Sequence, residues 1–217
     1  ASAVITASYG PVVQNVTVTV ADGRFWYSLG NGLGNGLDNN WYLDGNNASV
    51  VSSDGNKTTV QMGSGYRGDL WLARSGKGKI VNVTPADYRY FAIKVGFKSQ
   101  LVPGKNKPNG CIKLEIFDDG IKKIGPEYFG TGGDANNRYE ILGASEISTT
   151  EPNVLYYDLQ SKYKTVTPTD WNQVFDLVQC KFVIADFPET AQTYDLYWIR
   201  SFKSIEELQA FVDSENN

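Results

Sequence analysis

Apolar residues along this chain recur at every second position, and that alternation constrains the fold more than any other feature. In "NVTVTV" Val16, Val18 and Val20 fall on one side and Asn15, Thr17 and Thr19 on the other. In "YFAIKVGF" Phe91, Ile93, Val95 and Phe97 share a side; in "CIKLEIF" Ile112, Leu114 and Ile116 do; in "QCKFVIADF" Cys180, Phe182 and Ile184 do. A period of two is the signature of half-buried antiparallel strands, because successive side chains on a strand point to opposite faces. Further strands are expected at 24–29, 41–44, 48–52, 57–62, 68–74, 78–83, 138–142, 154–160 and 194–202. Turn-forming pairs punctuate them, among them Asp22-Gly23, Asp54-Gly55, Asn109-Gly110 and Asp119-Gly120. Ten or more short strands without intervening helices predict an all-β sandwich or barrel rather than a parallel α/β sheet.

One helix is legible, over 204–213, in "SIEELQAFVDS". Ser204 is a good N-cap, and Glu207 completes an S-x-x-E capping box. Ile205, Leu208, Phe211 and Val212 form an apolar stripe that predicts docking on the sandwich. A chain of 217 residues can build a sufficient core without a metal or disulfide. We expect a single domain over 1–217, with its core at 20–203. Cys111 and Cys180 both sit in strand-like runs and read as buried thiols, a disulfide depending on how the two strands pair.

Charge and residue usage narrow the function. A net charge of −4 gives no basic surface for displacing counterions from nucleic acid, so a nucleic-acid partner is not expected. No apolar run approaches the ~20 residues that a membrane span needs. The chain has no His, which removes the commonest general base and the commonest zinc ligand. No carboxylate pair looks catalytic: Asp118-Asp119-Gly120 reads as a hairpin tip, and Glu206-Glu207 suits a helix's first turn.

The stretch "LGNGLGNGLDNNWY", residues 29–42, raises the question of a phosphate loop. A dinucleotide loop requires a following helix and a P-loop requires Gly-Lys-Ser/Thr, and neither is present. The run reads instead as a long loop between two strands, with Asn39 and Asn40 offering amides and Trp41 and Tyr42 closing it. Alternation sets Trp26 opposite Phe25, Tyr27 and Leu29, and sets Trp71 opposite Leu70 and Leu72. Aromatic residues on the polar side of a strand, among Asn, Asp and Arg, suit a sugar ring, whose C–H face stacks on aromatics while its hydroxyls take planar polar partners. The candidate binding residues are therefore Trp26, Trp41, Trp71, Tyr42, Tyr66, Arg67, Asn39 and Asn40. Trp171 and Trp198 run into core strands and read as packing residues.

"YRYFAIKVGF", "VLYYDLQ", "VFDLVQCKFVIADF" and "YDLYWIRSFKSIEEL" resemble the later strands of galactose-binding-like jelly rolls. The resemblance covers roughly residues 20–212 and extends to a C-terminal domain family of secreted lipoproteins and glycan-degrading proteins of gut Bacteroidetes. It implies a jelly-roll β-sandwich with a short C-terminal helix, in a secreted, periplasmic or outer-membrane setting, as part of a larger multidomain protein. It implies a polysaccharide or oligosaccharide partner, no required cofactor, and room for structural calcium whose ligands it does not place. The leading expectation is a non-catalytic carbohydrate-binding module. The alternatives are a polysaccharide lyase or glycoside hydrolase on the same sandwich, with Tyr66 and Arg67 as its chemistry, and an interaction or spacer domain.

Overall fold

The structure is a computed structural model of the chain. It describes residues 2–19, 24, 26–31, 42–44, 48–62, 68–73, 81–83, 87–98, 111–118, 139–158, 175–185 and 192–216. Two antiparallel sheets and one helix carry the fold. The seven-stranded sheet contains β3 (Trp26–Ser28), β5 (Ala48–Ser53), β6 (Thr58–Met62), β9 (Tyr90–Phe97), β11 (Glu140–Ile141), β12 (Asn153–Asp158) and β14 (Gln192–Phe202), in the order β11-β12-β9-β14-β6-β5 with β3 also on β14. The five-stranded sheet contains β4 (Tyr42–Asp44), β7 (Gly68–Ala73), β8 (Val81–Val83), β10 (Cys111–Asp118) and β13 (Phe175–Ala185), in the order β10-β13-β7-β4 with β8 also on β13. A separate hairpin joins β1 (Ser2–Tyr9) to β2 (Val12–Thr19), and α1 (Ile205–Glu215) follows β14.

The pairing is nested. β6 pairs β14, β7 pairs β13 and β9 pairs β12, all antiparallel, and successive first-limb strands alternate between the sheets. β14 lies between β6 and β9, and β13 lies between β7 and β10. A long antiparallel hairpin rolled over on itself gives this order, which is the jelly-roll sandwich that the alternation and the resemblance predict.

Register explains why the alternating runs sit where they do. Phe91, Ile93, Val95 and Phe97 are all buried on one face of β9, and Leu155 and Tyr157 of β12 lie opposite Ile93 and Phe91. In the other sheet Ile112, Leu114 and Ile116 pair with Ile184, Phe182 and Cys180, so the two apolar rows predicted separately are cross-strand partners. The same ladder settles the cysteines. Cys111 is opposite Ala185, five positions along β13 from Cys180. At about 3.3 Å per residue that is roughly 16 Å, far beyond the reach of a disulfide.

β14 carries the feature on which the outer face turns. Its register against β9 shifts between Leu196 and Trp198, leaving Tyr197 as a bulge. Before the bulge Tyr194 and Leu196 face the core, opposite Phe97 and Val95. After it Ile199 takes the core side opposite Ile93, and Trp198, Arg200 and Phe202 pass to the outer side. There α1 covers them: Ala92, Val154, Trp198, Phe202 and Leu208 form one buried cluster, with Phe211 and Val212 packed against it. The helix starts as predicted, with Ser204 Oγ accepting from the Glu207 N–H while the Glu207 carboxylate accepts from the Lys203 N–H.

Two expectations need correction. The alternating run ending at Val20 forms β2, but it is not half-buried: Ile5, Tyr9, Val12 and Val16 are exposed, because β1 and β2 pair with each other and with no other described strand. The partner strand β1 was not predicted at all. The glycine run lies mostly outside the described residues, but Gly30 is buried at its start. The Gly55 N–H donates to the Gly30 carbonyl at 3.0 Å, and a Cβ on Gly30 would stand 2.2 Å from the Gly55 carbonyl oxygen. Backbone cannot yield as a flexible side chain can, so Gly30→Ala should cost about 1–3 kcal/mol, read as a lower urea midpoint. Ellman titration of the unfolded chain without reductant should find both thiols free.

Candidate functional site

The candidate residues fall into two groups on different sheets. Tyr42 of β4 and Trp71 of β7 are direct register partners, and Lys181 of β13 is the next residue across from Trp71. Leu43 pairs with Leu70, which is 1% exposed, so the Tyr42–Trp71 pair is the next one along the ladder from a core position. Trp41, Asn39 and Asn40 precede Tyr42 in the chain, and Tyr66 and Arg67 precede Gly68 at the start of β7. These five lie outside the described residues, as does Trp171.

Trp26 belongs to the other sheet, on the outer side of β3, opposite Arg200 of β14. Tyr42 and Trp71 lie on β4 and β7 of the five-stranded sheet, so Trp26 and that pair belong to different sheets. Alternation placed Trp26 away from Tyr27 and Leu29 correctly, and Leu29 is fully buried. The outward side is nonetheless partly covered. Trp26 packs edge-to-face on Phe202 at 5.6 Å and on Phe211 of α1 at 5.2 Å, and keeps 41% exposure. The Arg24 guanidinium stacks 3.8 Å from its ring centroid, and the Arg200 guanidinium lies at 4.5 Å. Trp198 is 3% exposed and is a packing residue, as expected.

Sequence reasoning set Arg24 beside Trp26 on the polar side of its strand, and missed Arg200 and Glu215. Arg200 is distant in sequence from Trp26, and its place depends on the Tyr197 bulge. Glu215 sits in the last turn of α1, where the helix dipole disfavours an acid. It is held there by Lys94 at 3.0 Å, by the Trp198 indole N–H at 3.1 Å, and by Arg200 at 3.9 Å. Burial, with a smaller push from Arg24, lowers the pKa of Arg200 against the opposing pull of Glu215. The group stays charged even so, since guanidinium starts far above neutrality.

A second polar cluster lies further along the outer side. Asp195 is buried and accepts from Thr59 Oγ1 at 2.6 Å, with Lys57 and Lys98 each at 2.8 Å. Burial pushes its pKa up, but the bonds from Lys57, Lys98 and Thr59 outweigh burial and hold it below the ordinary 3.8. Lys57 is raised above 10.5, chiefly by its bond to Asp195. The cluster ties the β5–β6 hairpin and the end of β9 to β14. Among the described residues no group of three His, Cys, Asp or Glu could hold a metal, and no helix is long and apolar enough to cross a membrane.

The fold thus defines an all-β jelly-roll sandwich closed on one outer face by a C-terminal helix. Over residues 32–208 the chain matches the family described as a domain of unknown function, DUF4979, and it belongs to that family. Comparison with curated proteins and with solved structures gave no match. The matched segment contains both sheets apart from β3, together with the first four residues of α1, and excludes the β1–β2 hairpin.

The Asp195 cluster generates a pH prediction. A carboxyl lowered in the folded chain contributes stability above its unfolded pKa, and that contribution is lost as pH falls through the folded value. Melting temperature should therefore hold to about pH 4 and then fall as Asp195 protonates. Lys57 contributes on the other side, below 10.5, and its share is lost as pH rises through its higher folded value. Asp195→Asn should cost about 1–3 kcal/mol at pH 7, as the loss of hydrogen bonds to a charged group, and should flatten the acid limb. Thermal melts of both proteins from pH 3 to 8 check this.

Proposed function

We propose that the chain is a carbohydrate-binding module that holds a polysaccharide or oligosaccharide without cleaving it. The observation that carries this reading is the register pairing of Tyr42 with Trp71. Direct cross-strand neighbours have Cβ atoms about 5 Å apart, so two aromatic residues there can act as one continuous surface. The C–H face of a pyranose stacks on such a surface, and Asn39, Asn40 and Trp41 directly precede Tyr42 in the sequence. Arg67 enters β7 at the other end of the same short ladder, where Gly68 follows it.

Several features of the chain favour capture over cleavage. It has no His, and one adjacent carboxylate pair, Glu206 and Glu207, lies in the first turn of α1. An open sheet surface buries little of a ligand, so affinity rests on stacking plus hydroxyl bonds that compete with water, and should be modest. This function fits a secreted, periplasmic or outer-membrane protein in which the domain keeps a glycan near other modules. Calcium is not part of the proposed site.

The test is retention on polysaccharide affinity gels, followed by titration with the glycan retained. Trp71→Ala and Tyr42→Ala should each abolish retention while moving the melting temperature little. Trp26→Ala should keep retention and lower the melting temperature, since Trp26 packs on Phe202 and Phe211. Full retention by Trp71→Ala and Tyr42→Ala together would remove the platform from this ladder. New reducing ends or unsaturated products from incubated polysaccharide would make the protein an enzyme instead.

A further inference from the structure

We propose that Arg24, Arg200 and Trp26 form a separate binding site for an anionic group carried on a ring with an apolar face. The ligand class is an acidic saccharide, with a carboxylate or sulfate as the recognised group. Both guanidinium carbons approach the same indole, at 3.8 and 4.5 Å from its centroid, so they lie no more than about 8.3 Å apart, the sum of those two distances. The oxygens of one carboxylate or sulfate at the edge of the indole can reach both groups at that separation, at the roughly 2.8 Å of charge-assisted bonds.

Arg200 is poorly satisfied by its own chain. Its side chain is 12% exposed and its Nε is buried with no hydrogen-bond partner among the described residues. Its Nη2 reaches only Ser28 Oγ, at a long 3.4 Å, and its Nη1 stands 3.9 Å from Glu215. Glu215 serves it only loosely, its Oε1 standing 3.9 Å away while its Oε2 takes Lys94 and the Trp198 indole. The two Nη groups, so weakly accepted, suit an incoming anion that the buried Nε does not meet. The rim is open to that anion: Arg24 and Ser28 are exposed, and Trp26 shows 41% of its surface. The exposed part of the indole gives the ligand's ring an apolar neighbour beside the two cations.

The inference does not rest on the ladder of Tyr42 and Trp71, and its test keeps the two apart. Three matched oligosaccharides, one bearing a uronate, one a sulfate ester and one neutral, are titrated by calorimetry and tryptophan fluorescence at low and at high salt. The protein should prefer at least one acidic ligand by about tenfold or more, the effect of one hydrogen bond to a charged group, and salt should erode the preference. A uronate preference assigns a planar carboxylate and a sulfate preference a tetrahedral anion. Arg24→Gln, at an exposed position, should bring the acidic ligand to the level of the neutral one with only a small fall in melting temperature from the lost stack on Trp26. Arg24→Lys should restore part of the preference, and the acidic ligand should still bind Trp71→Ala, in which the ladder is disabled. Equal affinity for neutral and acidic ligands, no binding of any acidic ligand, or a preference that survives Arg24→Gln would overturn the site.

Discussion

The outer face of the seven-stranded sheet depends on one extra residue. Without Tyr197 as a bulge, strict alternation from Tyr194 and Leu196 would carry Trp198, Arg200 and Phe202 into the core and Ile199 outward. With it, two large aromatics and an arginine reach the outer side in register with β9 and β3. The bulge is fixed from more than one side. The Leu29 N–H donates to the Tyr197 carbonyl at 2.8 Å, and the Tyr197 ring lies over Gly96. The helix then has an apolar bed, and Leu208 is fully buried on it. The bulge, the helix and the Arg24–Trp26–Arg200 cluster are consequences of the same local register change.

Much of the fold was legible in the sequence, because period-two alternation reports directly which side of a strand is buried. All nine strands expected between 24 and 202 from turn spacing have a counterpart among the described strands, and Ser204 and Glu207 announced the helix start. What alternation cannot carry is pairing. Nothing local says that the row of Ile112, Leu114 and Ile116 lies against Ile184, Phe182 and Cys180, since the residues between the two strands set no register. Nor does alternation distinguish a strand in a sandwich from one in a lone hairpin. Ile5, Tyr9, Val12 and Val16 look like core residues in sequence and are exposed in the fold. Burial is a property of the neighbours, not of the pattern.

The sites were legible in halves for the same reason. Alternation placed Trp26 away from its core neighbours, and Tyr42 and Trp71 proved to be register partners. Sequence could not say that Trp26 and Trp71 belong to different sheets. It also treated Arg200 as an ordinary strand residue, because reading two residues at a time along β14 passes over the bulge. The charged partners of the outer face come from β3, β9, β14 and the end of α1, and no spacing rule connects them.

The chain's charge bears on how such a site can work. With a net charge of −4, the long-range field repels an anionic ligand rather than steering it. At physiological salt that repulsion fades within about 8 Å, while bonds between guanidinium and oxyanion act at contact. At the proposed arginine site an acidic saccharide would therefore be selected at close range, by geometry, with no electrostatic acceleration on approach. The two proposed sites lie on different sheets, so a long glycan that engaged both would combine two modest affinities through effective concentration rather than through any new contact.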